Sequence, residues 1–255
     1  MPEPGRQAPP YDYVFATGLN RSGSTWGYNV ARLLLADACG AEAYECGYFG
    51  EGDAFEAELD QRVGERRRAL MKFHIPSPLA VDLAEHDRAR AIFTWRHPLA
   101  AIASLMEMFD TPFDDALEWV ELGLTAGEIW AETDAVVFVA FDDLTRAPER
   151  EIARIAAGLG VSASGQTITR IAEATNFFNA KAHAERLKGR SDLIDAGESA
   201  YDPVTLLHVG HAREGAERDW RQTLSADQAD RARGHLKTWF AADGTFAPGV
   251  LAQTG

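Results

Sequence analysis

Cysteine is nearly missing from this chain, lysine is scarce, and no apolar run is long enough to cross a bilayer. Cys39 and Cys46 are the only thiols in 255 residues. Two are too few for a disulfide framework, so a reducing cytoplasm is the expected location. No hydrophobic stretch approaches the roughly 18–20 residues of a membrane helix, which argues against a membrane partner. Residues 1–11, with Pro2, Pro4, Pro9 and Pro10, lack the basic and apolar regions of a secretory signal and are expected to form a loose tail. Positive charge is short as well: the formal net charge is −14. That excludes a broad face for nucleic acid, though a small anion can still bind where cations converge. Lys72, Lys181, Lys188 and Lys237 are the only lysines among many arginines, so a lysine in a pocket stands out. Low lysine with abundant alanine and arginine fits a GC-rich bacterial genome. There is no internal repeat and no low-complexity segment beyond the tail.

What remains is ample for a core: 46% of the residues are hydrophobic and 25% charged, enough for one large domain, taken as 12–245. Apolar runs at about 12–18, 69–75, 90–95 and 135–141 are continuous rather than alternating. Such runs predict parallel strands buried on both faces. Helical periodicity marks about 24–38, 56–68, 98–109, 114–131, 148–158, 165–174 and 226–240, the last supported by Asp227 four residues before Arg231. Strands alternating with helices predict an α/β fold with ligands at the carboxyl ends of the strands. From about 176 to 222 the periodicity fails, and about 183–212 is expected to act as a lid.

Four segments carry chemistry. "GLNRSGST", Gly18–Thr25, has the spacing of a Walker A loop but Ser24 where its lysine would stand. A strand–turn–helix of this kind aims N–H groups at one spot, and Arg21, Ser22, Gly23, Ser24 and Thr25 would hold a phosphate-like anion there. In "MKFHIP", Lys72 and His74 alternate and so share a face, where they could stabilise a leaving group and remove a proton. In "TWRHPLAAIAS", Arg96 ends a strand and offers a fork for phosphate, with Ser104 as a hydroxyl donor two turns into the helix. "HAREGAERDWRQ", residues 211–222, is an Arg/Gly-rich return. Each alone also fits an ordinary structural role.

Together and in this order the segments resemble the cytosolic-type sulfotransferases, which use 3′-phosphoadenosine 5′-phosphosulfate (PAPS). "RSGSTW", Arg21–Trp26, resembles the family's K-S-G-T-T-W loop for the 5′-phosphosulfate, with Trp26 where the family stacks an aromatic on adenine. Lys72, His74 and Pro76 match K-x-H-x-P, which carries the catalytic histidine. Arg96, Pro98 and Ser104 keep the spacing of the R-D-P…S element that grips the 3′-phosphate. "TNFFNAK", Thr175–Lys181, is similar to T-S-F-x-x-x-K, whose threonine and phenylalanine (here Thr175 and Phe177) contact adenine. "REGAERDW" aligns with R-K-G-x-x-G-D-W, placing Arg213, Glu214 and Gly215 over the 3′-phosphate. Four departures stand out: Arg21 for a lysine, Glu214 for a lysine, Arg218 for a glycine, and Phe141 for the tyrosine of Y-E-D.

The resemblance implies a P-loop NTPase-like three-layer fold, PAPS as donor and 3′-phosphoadenosine 5′-phosphate (PAP) as product. It implies sulfuryl transfer to a hydroxyl or amine of a small molecule, with His74 as general base, Arg21 and Lys72 as cationic stabilisers, and no metal required. His208 and His211 lack the partners of a zinc site. Two alternatives remain at this point: a P-loop small-molecule kinase, and a catalytically weak PAP-binding module. The acceptor is not legible, although Tyr44, Tyr48, Phe49, Phe55, Phe109 and Phe113, with Glu51 and Asp53, fall near the expected mouth. The chain reads as a monomer or a homodimer.

Overall fold

The computed structural model describes residues 9–188, 190–195, 200–209 and 219–252. Strands β1 (Tyr13–Gly18), β2 (Glu45–Tyr48), β3 (Ala69–Lys72), β4 (Ala89–Trp95) and β5 (Val136–Ala140) form one parallel sheet in the order β2-β3-β1-β4-β5. All six residues of β1 are buried, as its near-continuous apolar run requires. Tyr13 and Phe15 face a layer built by α2 (Gly52–Glu65), α3 (Pro78–Glu85), α4 (Pro98–Phe109), α5 (Phe113–Ala131) and α10 (Ala226–His235). Val14 and Ala16 face the opposite layer, built by α1 (Ser24–Cys39), α7 (Pro148–Gly158) and α8 (Gly165–Thr175). The chain leaves β1 toward one edge, returns through β2 and β3, and passes β1 to reach β4. The crossovers therefore diverge at the carboxyl end of β1, where open parallel sheets bind ligands.

The differences from the sequence expectation have local causes. β2 escapes the apolar pattern, because an edge strand reading Glu-Cys-Gly-Tyr is half exposed and carries no apolar run. Helix α3 announces itself only by Ser77, whose side chain accepts the Ala80 N–H, and by Pro78 at its first turn. In the stretch expected to be irregular, α9 (Phe177–Arg186) starts at Asn176, which caps the Asn179 N–H, and β6 (Ile194–Asp195) pairs with β7 (Ala200–Tyr201). Tyr11, at the end of the segment expected to be a loose tail, is 2% exposed, and its hydroxyl bonds the Leu159 carbonyl. Arg231 reaches Asp114 on α5 at 2.6 Å instead of pairing with Asp227.

Candidate active site

The turn between β1 and α1 is held from beneath. Gly18 has φ 148°, and a Cβ there would lie 2.3 Å from Thr94 Oγ1 and 2.4 Å from the Thr94 carbonyl, so only glycine lets β1 leave β4 at this point. Ser22 is fully buried, and its hydroxyl lies 2.8 Å from the Thr94 carbonyl and 2.7 Å from Thr94 Oγ1, beside the Leu19 carbonyl. Its N–H donates to Leu19. Ser22 therefore braces the loop against β4, and its hydroxyl is not the ligand donor expected from the sequence. Arg21 adopts φ 66°, a strained conformation for a side-chain-bearing residue, and its Nε donates to Ser104 Oγ at 3.1 Å. Helix α1 starts at Gly23 with no side-chain cap. Its first-turn N–H groups have no intrahelical acceptor, and they meet the positive end of the helix dipole.

β3 delivers the second group. Phe73 is fully buried against Phe55 (4.0 Å between ring centroids) and Phe15 (5.4 Å), which turns its neighbours Lys72 and His74 the other way. Although β3 ends at Lys72, the two side chains meet, with Lys72 Nζ 3.3 Å from His74 Nε2. His74 Nδ1 lies 2.8 Å from the Gly18 carbonyl. A carbonyl can only accept, so Nδ1 carries the proton and Nε2 presents a lone pair. Burial first, and the Lys72 charge second, push the imidazole down to about 3, so it is neutral at pH 7. Burial also lowers Lys72 to about 8, opposed by Glu51 and reinforced by Arg21.

A third cation stands across the loop. The Arg96 guanidinium lies over the Phe141 ring at 4.3 Å, at the start of α6 (Phe141–Arg146). Beside the loop, Thr25, Trp26, Asn29, Arg32, Thr175, His183, Arg186 and Thr205 are among the residues lining a cavity of about 370 Å³. Trp26 and Thr175, far apart in sequence, thus share one chamber. Asn29 and Tyr28 of α1 hold the chain beyond β7, donating to the Thr205 carbonyl at 2.7 Å and the Val204 carbonyl at 3.1 Å.

With that geometry in view, residues 12–244 match the family model described as a sulfotransferase domain. The chain belongs to the sulfotransferase family. Its fold is similar to that of retinol dehydratase solved with retinol and PAP, at 17% identity over 92% of this chain and 83% of that one, with a TM-score of 0.60. It is also similar to mouse sulfotransferase SULT7A1 complexed with PAP, at 18% identity over 89% of this chain and 83% of that one, with a TM-score of 0.61. At these identities the likeness is one of fold. A search of curated proteins finds no match.

The sulfotransferase fold brings together residues the sequence could only align. Arg21 and Ser104, expected in different phosphate subsites, are hydrogen-bonded to each other. Ser24 is buried at the start of α1. The Thr175 hydroxyl donates to the Ile171 carbonyl at 2.8 Å, so the residue lines the cavity with its hydroxyl proton already committed. Phe177 stands in the first turn of α9. Arg213, Glu214, Gly215 and Arg218 lie outside the described residues. Of the aromatics expected at the mouth, Tyr44, Phe55 and Phe113 are core. Tyr48 and Phe109 lie beside the cations, with Lys72 Nζ 5.7 Å from the Tyr48 ring and Arg21 Cζ 5.8 Å from the Phe109 ring. The contacts of two residues escape sequence reasoning. His208 bridges to Tyr201 and is lowered to about 4, chiefly by burial and then by the charges of Lys72 and Arg21. Glu51 accepts the His74 N–H at 2.9 Å. Neither lies in a motif that could have flagged it.

Proposed function

We propose that this sulfotransferase moves a sulfuryl group from PAPS to a hydroxyl or amine of a small-molecule acceptor, with His74 as general base. The observation that carries the reading is the neutral His74 imidazole, its Nε2 lone pair beside Lys72 and its Nδ1–H tied to the strand that ends in the phosphate loop. The residues present fit a phosphoadenosine donor. The uncapped start of α1 suits the 5′-phosphate, the chamber shared by Trp26 and Thr175 suits the adenosine, and the Arg96 fork suits the 3′-phosphate. A chamber of about 370 Å³ is also of ordinary size for a small-ligand site.

PAPS, when bound, supplies the sulfuryl group and takes the electron pair of the broken S–O bond on its 5′-phosphate. His74 Nε2 accepts the acceptor proton as the acceptor atom bonds to sulfur. Arg21 and Lys72 stabilise the charge that develops on the sulfuryl and phosphate oxygens. The low basicity of His74 in the free protein reflects burial and the Lys72 ammonium. An anionic donor engaging Lys72 offsets the second of these and raises the basicity when it is needed. His183, Arg186, Thr205 and Leu207 line the same chamber, which supports reading the described part of the stretch at 183–212 as a lid over the nucleotide; residues 189, 196–199 and 210–212 of it lie outside the described residues.

The test is incubation with PAPS and a panel of phenols, alcohols and amines, read by mass spectrometry for a sulfated product and PAP. Thermal unfolding with PAP should show stabilisation that ATP does not match. Equal stabilisation by PAP and by its analogue without the 3′-phosphate would remove the Arg96 assignment.

A further inference from the structure

Glu51 precedes α2 at the N-cap position, between Gly50 at φ 98° and Gly52 at φ 56°. Both glycines take left-handed conformations that cost a side-chain-bearing residue dearly, and they set the extended Glu51 at the tip of a tight double bend. The short side chain of Asp, Asn, Ser or Thr at this position would accept an N–H from its own first turn, whereas the longer Glu is free to reach further. Glu51 makes no such bond. Its carboxylate reaches instead to the turn after β3, accepting the His74 N–H at 2.9 and 3.1 Å through its two oxygens and the Ile75 N–H at 3.4 Å. The Tyr48 hydroxyl adds a bond at 3.4 Å. Burial raises the Glu51 carboxyl, while the His74 N–H and the Lys72 charge work in the other direction. Half-burying a carboxylate is costly, and every partner it gains belongs to the turn of His74 or adjoins it.

We propose that Glu51 is the positioning residue of the transfer centre, fixing the backbone of His74 and serving as counter-charge to Lys72. His74 is then clamped at three points. Its N–H meets Glu51, its carbonyl accepts from Thr17 Oγ1 at 3.1 Å, and its Nδ1–H meets Gly18. The first two hold the main chain, so that the third selects the Nδ1–H tautomer, whose unprotonated Nε2 faces Lys72. The role rests on His74 being the proton acceptor, but the clamp itself can be read without turnover.

The experiment combines two readouts on the full chain with PAP bound. Long-range proton–nitrogen NMR of imidazole-labelled protein should show His74 as a single Nδ1–H tautomer in the wild type. Glu51→Ala frees the His74 main chain and should mix the tautomers. Glu51→Gln, which keeps an oxygen for the His74 N–H, should retain the tautomer. In turnover of PAPS with 4-nitrophenol as the probe acceptor, Glu51→Ala should lower kcat by about 10-fold or more, with the PAP Kd within about 2-fold of wild type. Glu51→Gln should recover most of kcat. It should also move the alkaline limb of the pH profile to lower pH, because Lys72 loses the charge that raises its pKa. An unchanged His74 tautomer in Glu51→Ala would overturn the proposal. So would a fall in PAP affinity matching the fall in kcat in Glu51→Gln, which would mark a general structural role. Absence of transfer by the wild type would instead count against His74 as base, while the NMR readout would still decide for or against the clamp.

Discussion

Replacing Ser22 by alanine separates the two roles a phosphate-loop serine can have. In the structure its hydroxyl gives its proton to a carbonyl, Thr94 or Leu19, and accepts from Thr94 Oγ1. Neither carbonyl is orphaned by the change, because Leu19 N–H still donates to Thr94 at 2.9 Å and Ser22 N–H to Leu19 at 3.2 Å. Thr94 Oγ1 can still turn to the Thr17 carbonyl at 3.5 Å. The loss is therefore close to two net hydrogen bonds, about 1 kcal/mol each, or about 2 kcal/mol of stability. For a chain of this length that corresponds to a drop in Tm of about 4–8 °C. The backbone N–H groups stay in place, so PAP affinity should change by less than about 2-fold, well under 1 kcal/mol. Thermal unfolding and calorimetry with PAP measure the two quantities. An unchanged Tm together with PAP binding weakened about 10-fold would show that the hydroxyl faces the ligand, and the bracing argument would fail.

Three further outcomes follow from the same geometry. His74→Ala should lower kcat by about 10²-fold or more while PAP affinity holds, as steady-state kinetics and calorimetry would show; near-normal turnover would move the base elsewhere. Lys72 titrates at about 8 in the free protein, and its charge is present below that pH, so kcat/KM should fall as pH rises through about 8. The limb in kcat should lie higher, because the bound anionic donor favours the ammonium; coincident limbs would show that Lys72 does not contact the donor. Arg96→Lys removes the planar fork resting on Phe141, and it should weaken PAP by about 10-fold or more yet hardly change binding of the analogue without the 3′-phosphate. Equal losses for both ligands would relocate Arg96 to another part of the nucleotide.

The sequence by itself determined the central sheet and the place of the phosphate loop. β5 is an unbroken apolar run, β1 is interrupted only by Thr17 and β4 by Arg90 and Thr94, and a chain that must bury such runs has few options besides a parallel sheet between helices. The Gly/Ser knot after β1 is equally local, because Gly18 answers to a steric limit and α1 begins where the apolar periodicity does. The pairing of Lys72 with His74 was also legible, since Phe73 between them could only point into the core. What only the tertiary structure decided are the partners of polar atoms. Ser22 reads as a ligand donor until β4 arrives beside it, and Glu51 reads only as an acid near the mouth until the turn after β3 lies against it. Tyr44, Phe55 and Phe113, three of the six aromatics near the mouth, are core, because the facing of a side chain in a loop or on a helix depends on what packs over it. Hydrophobic periodicity is a property of neighbours in the chain. A hydrogen bond between residues 22 and 94, or 51 and 74, is a property of elements that meet only after the sheet has formed.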